Sequence, residues 1–291
     1  MTRIHLEQLS LRYHVRRHLN AADRSAHPRS RRLDAVRLVL HQTRFDLRSF
    51  TRDKQARFTT LALPIVLLVA FVSVGGGNKT FVQDGQTIKT AVFFVPGLIA
   101  LAVVSASFSN LLTDLVAQRD SGVLKRRRAT PVPAFALIGG RTLTAAAISL
   151  ATALLLLLVG GNFYDINIPN NALPAVAITI LFGSVTFSAL AYALAPSIRS
   201  STAIQPIIQL ILLPLYAISG VLLPNSKNPH WLNEVASVLP LQHLAHGLHH
   251  AFDPTTHGIG LSIVDLAVLS AWSVAALVLA TQRFTWLPAR G

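Results

Sequence analysis

The chain lacks cysteine altogether, which removes disulfide frameworks, thiolate metal sites, iron–sulfur clusters and cysteine nucleophiles at one stroke. Charge is scarce as well. Only 13% of the 291 residues are Asp, Glu, Lys or Arg, against about 25% in an ordinary soluble domain. Acid is the scarcer sign, with 12 Asp and Glu beside 26 Lys and Arg, so clustered catalytic carboxylates have few candidates. A nucleotide loop is missing too. Gly75-Gly76-Gly77-Asn78-Lys79-Thr80 resembles one, but Asn78 separates the glycines from the lysine that would have to reach a phosphate.

What the chain does have is apolar length. Hydrophobic residues make up 52% of it, and they gather into six segments: Phe58 to Val74, Ala91 to Leu112, Pro133 to Val159, Leu173 to Leu194, Thr202 to Leu223 and Ile259 to Ala280. Most approach the roughly 20 residues needed to cross a 30 Å hydrocarbon layer as a helix. The first is the shortest, marked by Pro64 and ended by Gly75 to Gly77. The expected fold is therefore an all-α integral membrane protein with six transmembrane helices.

Basic residues set the expected orientation. One side receives 22 of them: the N-terminal arm, Arg119 and Lys125 to Arg128 in the Thr113 to Val132 loop, Arg199, Arg283 and Arg290. The other receives only Lys79, Lys89 and Lys227. Both termini are expected in the cytoplasm. Arg141 falls near the start of the third span, where a long side chain reaches back to the interface. An excess of Arg over Lys suggests a GC-rich bacterial genome and hence a bacterial plasma membrane. The net charge of +14 invites a nucleic-acid reading, but most of it lies in one arm beside the first span, where it serves anionic headgroups. No nucleic-acid partner is expected; membrane lipids are.

Within residues 33–57 the pattern predicts an amphipathic interfacial helix, preceded by a flexible basic arm over 1–32 and followed by the six-span domain over 58–291. Val36, Leu40, Leu47 and Phe50 form one stripe; Arg37, His41, Arg44, Arg48 and Arg52 form an adjacent one. Arg37, Arg44, Arg48 and Arg52 are the candidate phosphate contacts. A solvated charged linker is the alternative.

The most specific segment is Gln118-Arg119-Asp120-Ser121-Gly122-Val123-Leu124-Lys125-Arg126-Arg127-Arg128-Ala129-Thr130-Pro131-Val132-Pro133. It resembles the loop between spans two and three of ABC-2 type permeases, especially the daunorubicin-resistance exporter branch, although Gln118 stands where many members carry Glu. The likeness extends over about residues 33 to 285 through Arg52-Asp53, Pro64, Phe94-Val95-Pro96-Gly97, Ser219-Gly220 and Pro224. The resemblance implies a cytoplasmic coupling helix that docks on a separate ABC ATPase subunit, with Gln118, Arg119, Asp120, Ser121, Gly122, Leu124, Lys125 and Arg126 as the coupling residues. It also implies two ATPase copies, a second permease chain, identical or homologous, and ATP with Mg held in the ATPase. This chain itself is expected to bind no cofactor and to be no enzyme. Plain anchoring by Lys125 to Arg128 is the alternative for the charges.

Span five carries Gln205, Gln209, Tyr216 and Ser219 along one polar stripe, with Pro206 and Pro214 interrupting its backbone bonding. With Ser105 and Ser109 on span two they are the candidate substrate path or dimer interface; interhelical bonding without a substrate role is the alternative. Gly183, Ser184, Ser188, Ala189 and Ala193 suggest a close-packing face on span four. Asn225 to Gly258 is too polar to span. Residues 225–258 are read as a re-entrant outer helical hairpin, the arrangement that the resemblance implies. His243, His246, His249 and His250 there invite a metal reading, but interfacial histidines are the default and no metal is assigned. Asp265 is expected to cap or pair between helices.

With the resemblance, these features imply the permease subunit of an ATP-driven exporter, expected to move an amphipathic drug or lipid-like substrate by alternating access. A proton-coupled secondary transporter, dependent on Asp265, and a membrane-embedded enzyme are the alternatives.

Overall fold

The computed structural model describes residues 28–74, 80–83, 86–122, 134–164, 172–198, 200–221, 229–253 and 260–283. Helix α1 runs Pro28–Arg52 and begins before the expected Leu33, with proline in its first turn, where a missing N–H costs nothing. Asp53 then accepts the Ala56 amide at 3.0 Å and restarts the chain as α2, Lys54–Val74. Within α2 the turn Phe58–Ala62 is π-helical.

Two strands follow, β1 (Thr80–Gln83) and β2 (Gln86–Lys89), paired antiparallel with Thr80 opposite Lys89. This hairpin is a short addition to an architecture that is otherwise helical, as expected. Its signal is in the sequence: two short β-forming runs separated by Asp84-Gly85, a dipeptide suited to a two-residue reversal.

Helix α3 spans Thr90–Asp120, with a π-helical turn at Ser105–Asn110. It continues well past the expected end at Leu112. No Gly or Pro interrupts Thr113 to Asp120, and Leu115 and Val116 keep a buried face going. The Gln118 to Asp120 stretch is thus the last turn of span two. Gly122, at φ +69°, closes it as a left-handed cap, with its amide donating to Arg119 O at 3.1 Å.

Four longer elements and two short ones complete the bundle. They are α4 (Ala134–Tyr164), α5 (Ala172–Leu194, prolonged by a 3-10 turn at Ala195–Ser197) and α6 (Ile204–Ile218, preceded by a 3-10 turn at Ser201–Ala203). After them come α7 (His230–Ala236), α8 (Pro240–Phe252) and α9 (Ile263–Arg283). Among the described residues, helices α2, α3, α4, α5, α6 and α9 are long and apolar enough to cross a membrane, six as expected. Leu124, Lys125, Arg126, Arg199 and the 1–27 part of the basic arm lie outside the described residues.

Helix α3 is the axis of the fold. Its apolar window is 89% buried, whereas that of α6 is 17% buried. Spans one, three, four and five pack against it, α9 packs on α5, and α8 fills the gap between α3, α5 and α9. Two glycines permit the closest approaches. A Cβ on Gly97 would lie 2.1 Å from the Val221 carbonyl oxygen, so span two touches backbone just beyond α6. A Cβ on Gly183 would lie 2.6 Å from Leu244 Cδ1, where α8 rests on α5. Ser184, Ser188, Ala189 and Ala193 are buried on that helix, as the small-residue face requires. Beside them Thr186 Oγ1 donates to Leu269 O at 3.0 Å and ties α5 to α9.

Candidate functional site

Span five's polar stripe does face a cavity. Gln205, Gln209 and Tyr216 of α6 line a space of about 600 Å³ together with Ser105 and Ser109 of α3, a volume within the range of small-molecule sites. Its other walls come from α1, α2 and α4. Ser219 is not among the lining residues: it is buried, and its hydroxyl donates back to the Leu215 carbonyl. Five of the six path candidates are thus brought together and one is not.

The two π-helical turns meet beside this cavity. Asn110 Nδ2 donates to Thr60 Oγ1 at 2.8 Å, and Thr60 Oγ1 lies 3.5 Å from Ser105 Oγ. Thr152 Oγ1 on α4 donates to the Thr60 carbonyl at 3.4 Å. Widened turns of this kind recur at functional sites. Sequence reasoning missed Thr60 and Asn110, since their pairing joins two helices 50 residues apart and leaves no local spacing to read.

Arg141 departs from its expected place. Its side chain is 7% exposed and lines the cavity rather than reaching back to the interface. The neighbouring contact explains why. A Cβ on Gly140 would lie 2.7 Å from Gln42 Cβ, so α1 sits hard against α4 here, and Thr43 Oγ1 reaches the Gly140 carbonyl at 3.3 Å. On α1 itself Leu47 and Phe50 pack against Ala106, Ala145 and Ile148, while Val36 and Leu40 stay exposed. Arg37, Arg44, Arg48 and Arg52 are all exposed.

At the end of α3 the coupling candidates form a clasp. Arg119 is 6% exposed; Nη1 donates to Ala195 O at 3.0 Å and Nη2 to Ile198 O. Those carbonyls close α5, where a cation is favoured by the helix dipole. Asp120, next in line, accepts the Ser201 amide at 2.8 Å through Oδ2 and lies 3.7 Å from Arg119 through Oδ1. One turn of span two therefore holds the end of span four and the start of span five. Gln118 lines the cavity, and Ser121 donates to Ala117 O at 2.8 Å.

Compared with known families, residues 76–281 match the model described as ABC-2 family transporter protein, well over half of the chain. The chain belongs to the ABC-2 transporter family. Among curated proteins nothing matches it.

An ABC-2 permease is the membrane component of a transporter and not itself a catalyst, and membership implies association with an ABC ATPase partner. With six apolar helices the permease is a multi-pass membrane protein. Two motifs on which the resemblance rested, Phe94-Val95-Pro96-Gly97 and Ser219-Gly220, prove to be neighbours in space through the Gly97–Val221 contact.

At the opposite end of the permease two of the histidines share a carboxylate. His243 Nδ1 and His246 Nδ1 donate to the two oxygens of Asp265, each at 2.7 Å, and Asp265 is 3% exposed. Asp265 is therefore the partner that joins α8 to α9. The hydrogen bond to Asp265 holds His246 above the usual imidazole range. His249 stacks on Phe93 at 5.1 Å, and burial pushes it down to about 4.

Proposed function

We propose that this permease is the transmembrane subunit of an ATP-driven exporter, of the daunorubicin-resistance type, that moves an amphipathic drug or lipid-like substrate by alternating access. The cavity carries the reading: it is of substrate size, it is bordered by the polar stripe of span five, and Gln118 at the end of span two reaches its wall. The working unit would pair two permease chains with two ATPase subunits that hold ATP and Mg. The Arg119 to Arg128 segment would dock on the ATPase and transmit its closure.

The clasp gives that docking two outputs. A displacement of the span-two end would pull on span five through the Asp120–Ser201 bond as well as pushing on span three through Pro131 and Pro133. Helix α1 would lie at the cytoplasmic surface with its arginines on phosphates, and α7 with α8 would dip in from outside and return.

Topology supplies the first test, because the chain has no cysteine of its own. In a bacterial plasma membrane, Gln83→Cys is expected to react with an impermeant maleimide from outside and Ser121→Cys only after the membrane is opened. The reverse pattern would turn the molecule over and end the docking reading. The second test is enzymatic. The permease purified alone is expected to hydrolyse no ATP, and turnover in a preparation free of other polypeptides would refute a divided machine.

A further inference from the structure

We propose that the cavity binds an amphiphile by its anionic headgroup, with the Arg141 guanidinium as the anchor. The inference deepens the export reading and rests on it for its place in transport. Arg141 is more than nine-tenths buried, and its Nε and Nη1 atoms find no hydrogen-bond partner among the described residues. A buried cation with no counter-charge is unfavourable, and an anionic headgroup offers the guanidinium a charged acceptor where a neutral group would offer only a dipole. A ligand supplies what the fold leaves out.

Part of the wall suits a hydrocarbon tail. Leu101, Ile148, Ile208 and Leu212 line it with Phe50, so an anion with an alkyl chain satisfies both parts of the site where a free anion satisfies one.

Carboxylates also border the cavity and set the competing chemistry. Asp53 spends Oδ1 on the Ala56 amide. Asp46 accepts from Gln42 Nε2 at 2.8 Å through Oδ1, while its Oδ2 is buried without a hydrogen-bond partner. Asp114 lines the same wall. A cation site would be built on Asp46 instead of Arg141, and the two possibilities respond oppositely to charge removal.

The test uses the whole permease with a single reporter, Ser109→Cys, on the cavity wall. Purified in dodecyl maltoside, this variant would be treated with a maleimide, with dodecyl phosphate, dodecyltrimethylammonium or inorganic phosphate added at one concentration. Dodecyl phosphate is expected to slow modification at least tenfold, and the other two to leave it unchanged. Arg141→Gln is expected to abolish the protection, Arg141→Lys to keep part of it, and Asp46→Asn to keep it fully.

Equal protection by dodecyl phosphate in Arg141→Gln would overturn the anchor. Protection by the cationic amphiphile that Asp46→Asn removes would overturn the sign. Protection by inorganic phosphate at the same concentration would overturn the need for a tail. Should Arg141→Gln not fold, the contrast between the two charged amphiphiles on the reporter with Arg141 intact still decides the sign. No ATPase or nucleotide enters the assay, so failed ATP-driven export would overturn the export reading and leave this result standing.

Discussion

Replacing Gly97 by alanine is expected to cost the permease about 3 kcal/mol or more of stability and to lower its thermal midpoint in detergent by roughly 8 °C. The added methyl would sit 2.1 Å from the Val221 carbonyl oxygen. That obstacle is backbone, so no rotamer change relieves it. Span two, the most enclosed helix of the bundle, would have to part from the segment after α6, which turns at Gly220 with φ +75°. Gly161→Ala is the control, since a Cβ there meets nothing within 4 Å. A Gly97→Ala midpoint equal to that control would mean that the contact closes without strain.

Breaking the clasp is expected to have the largest effect on transport. Arg119→Met removes charge-assisted bonds to two carbonyls, a loss of about 2 to 3 kcal/mol, and Asp120→Arg replaces an acceptor for the Ser201 amide by a second cation. Asp120 is exposed, so Asp120→Arg should insert and fold while export driven by the cognate ATPase falls to background. Asp120→Asn, which retains an acceptor oxygen for Ser201, is expected to keep a substantial part. The measurement is export in inverted vesicles alongside co-purification of the ATPase. Export at the original rate in Asp120→Arg, with the ATPase bound, would reduce the segment to an anchor held by its basic residues.

How far these features could be read from the sequence depended on the length scale of the signal. The six spans were legible because apolar length is a property of twenty residues at once, and the path candidates Gln205, Gln209 and Tyr216 because helical spacing aligns them on one face. Ser219 shares that spacing but lies at the helix end, where its own backbone claims the hydroxyl. The hairpin was hidden by its brevity. Arg119 and Arg141 were misplaced for a different reason: a charge count assigns a residue to a side of the membrane, whereas burial depends on what packs over it, here the span-four terminus and α1.

The wide turns at Phe58–Ala62 and Ser105–Asn110 alter how these helices must be mapped. Each accommodates one residue more than an α-helical turn, so the stretch beyond it is out of angular phase with the stretch before by about 100°. A single helical wheel drawn through Thr90–Asp120 therefore assigns one of its halves to the wrong face. Leu98 to Val104 and Leu111 to Asp120 need separate wheels, and a cysteine scan of span two read on one continuous wheel would report two contradictory partners for the same stripe.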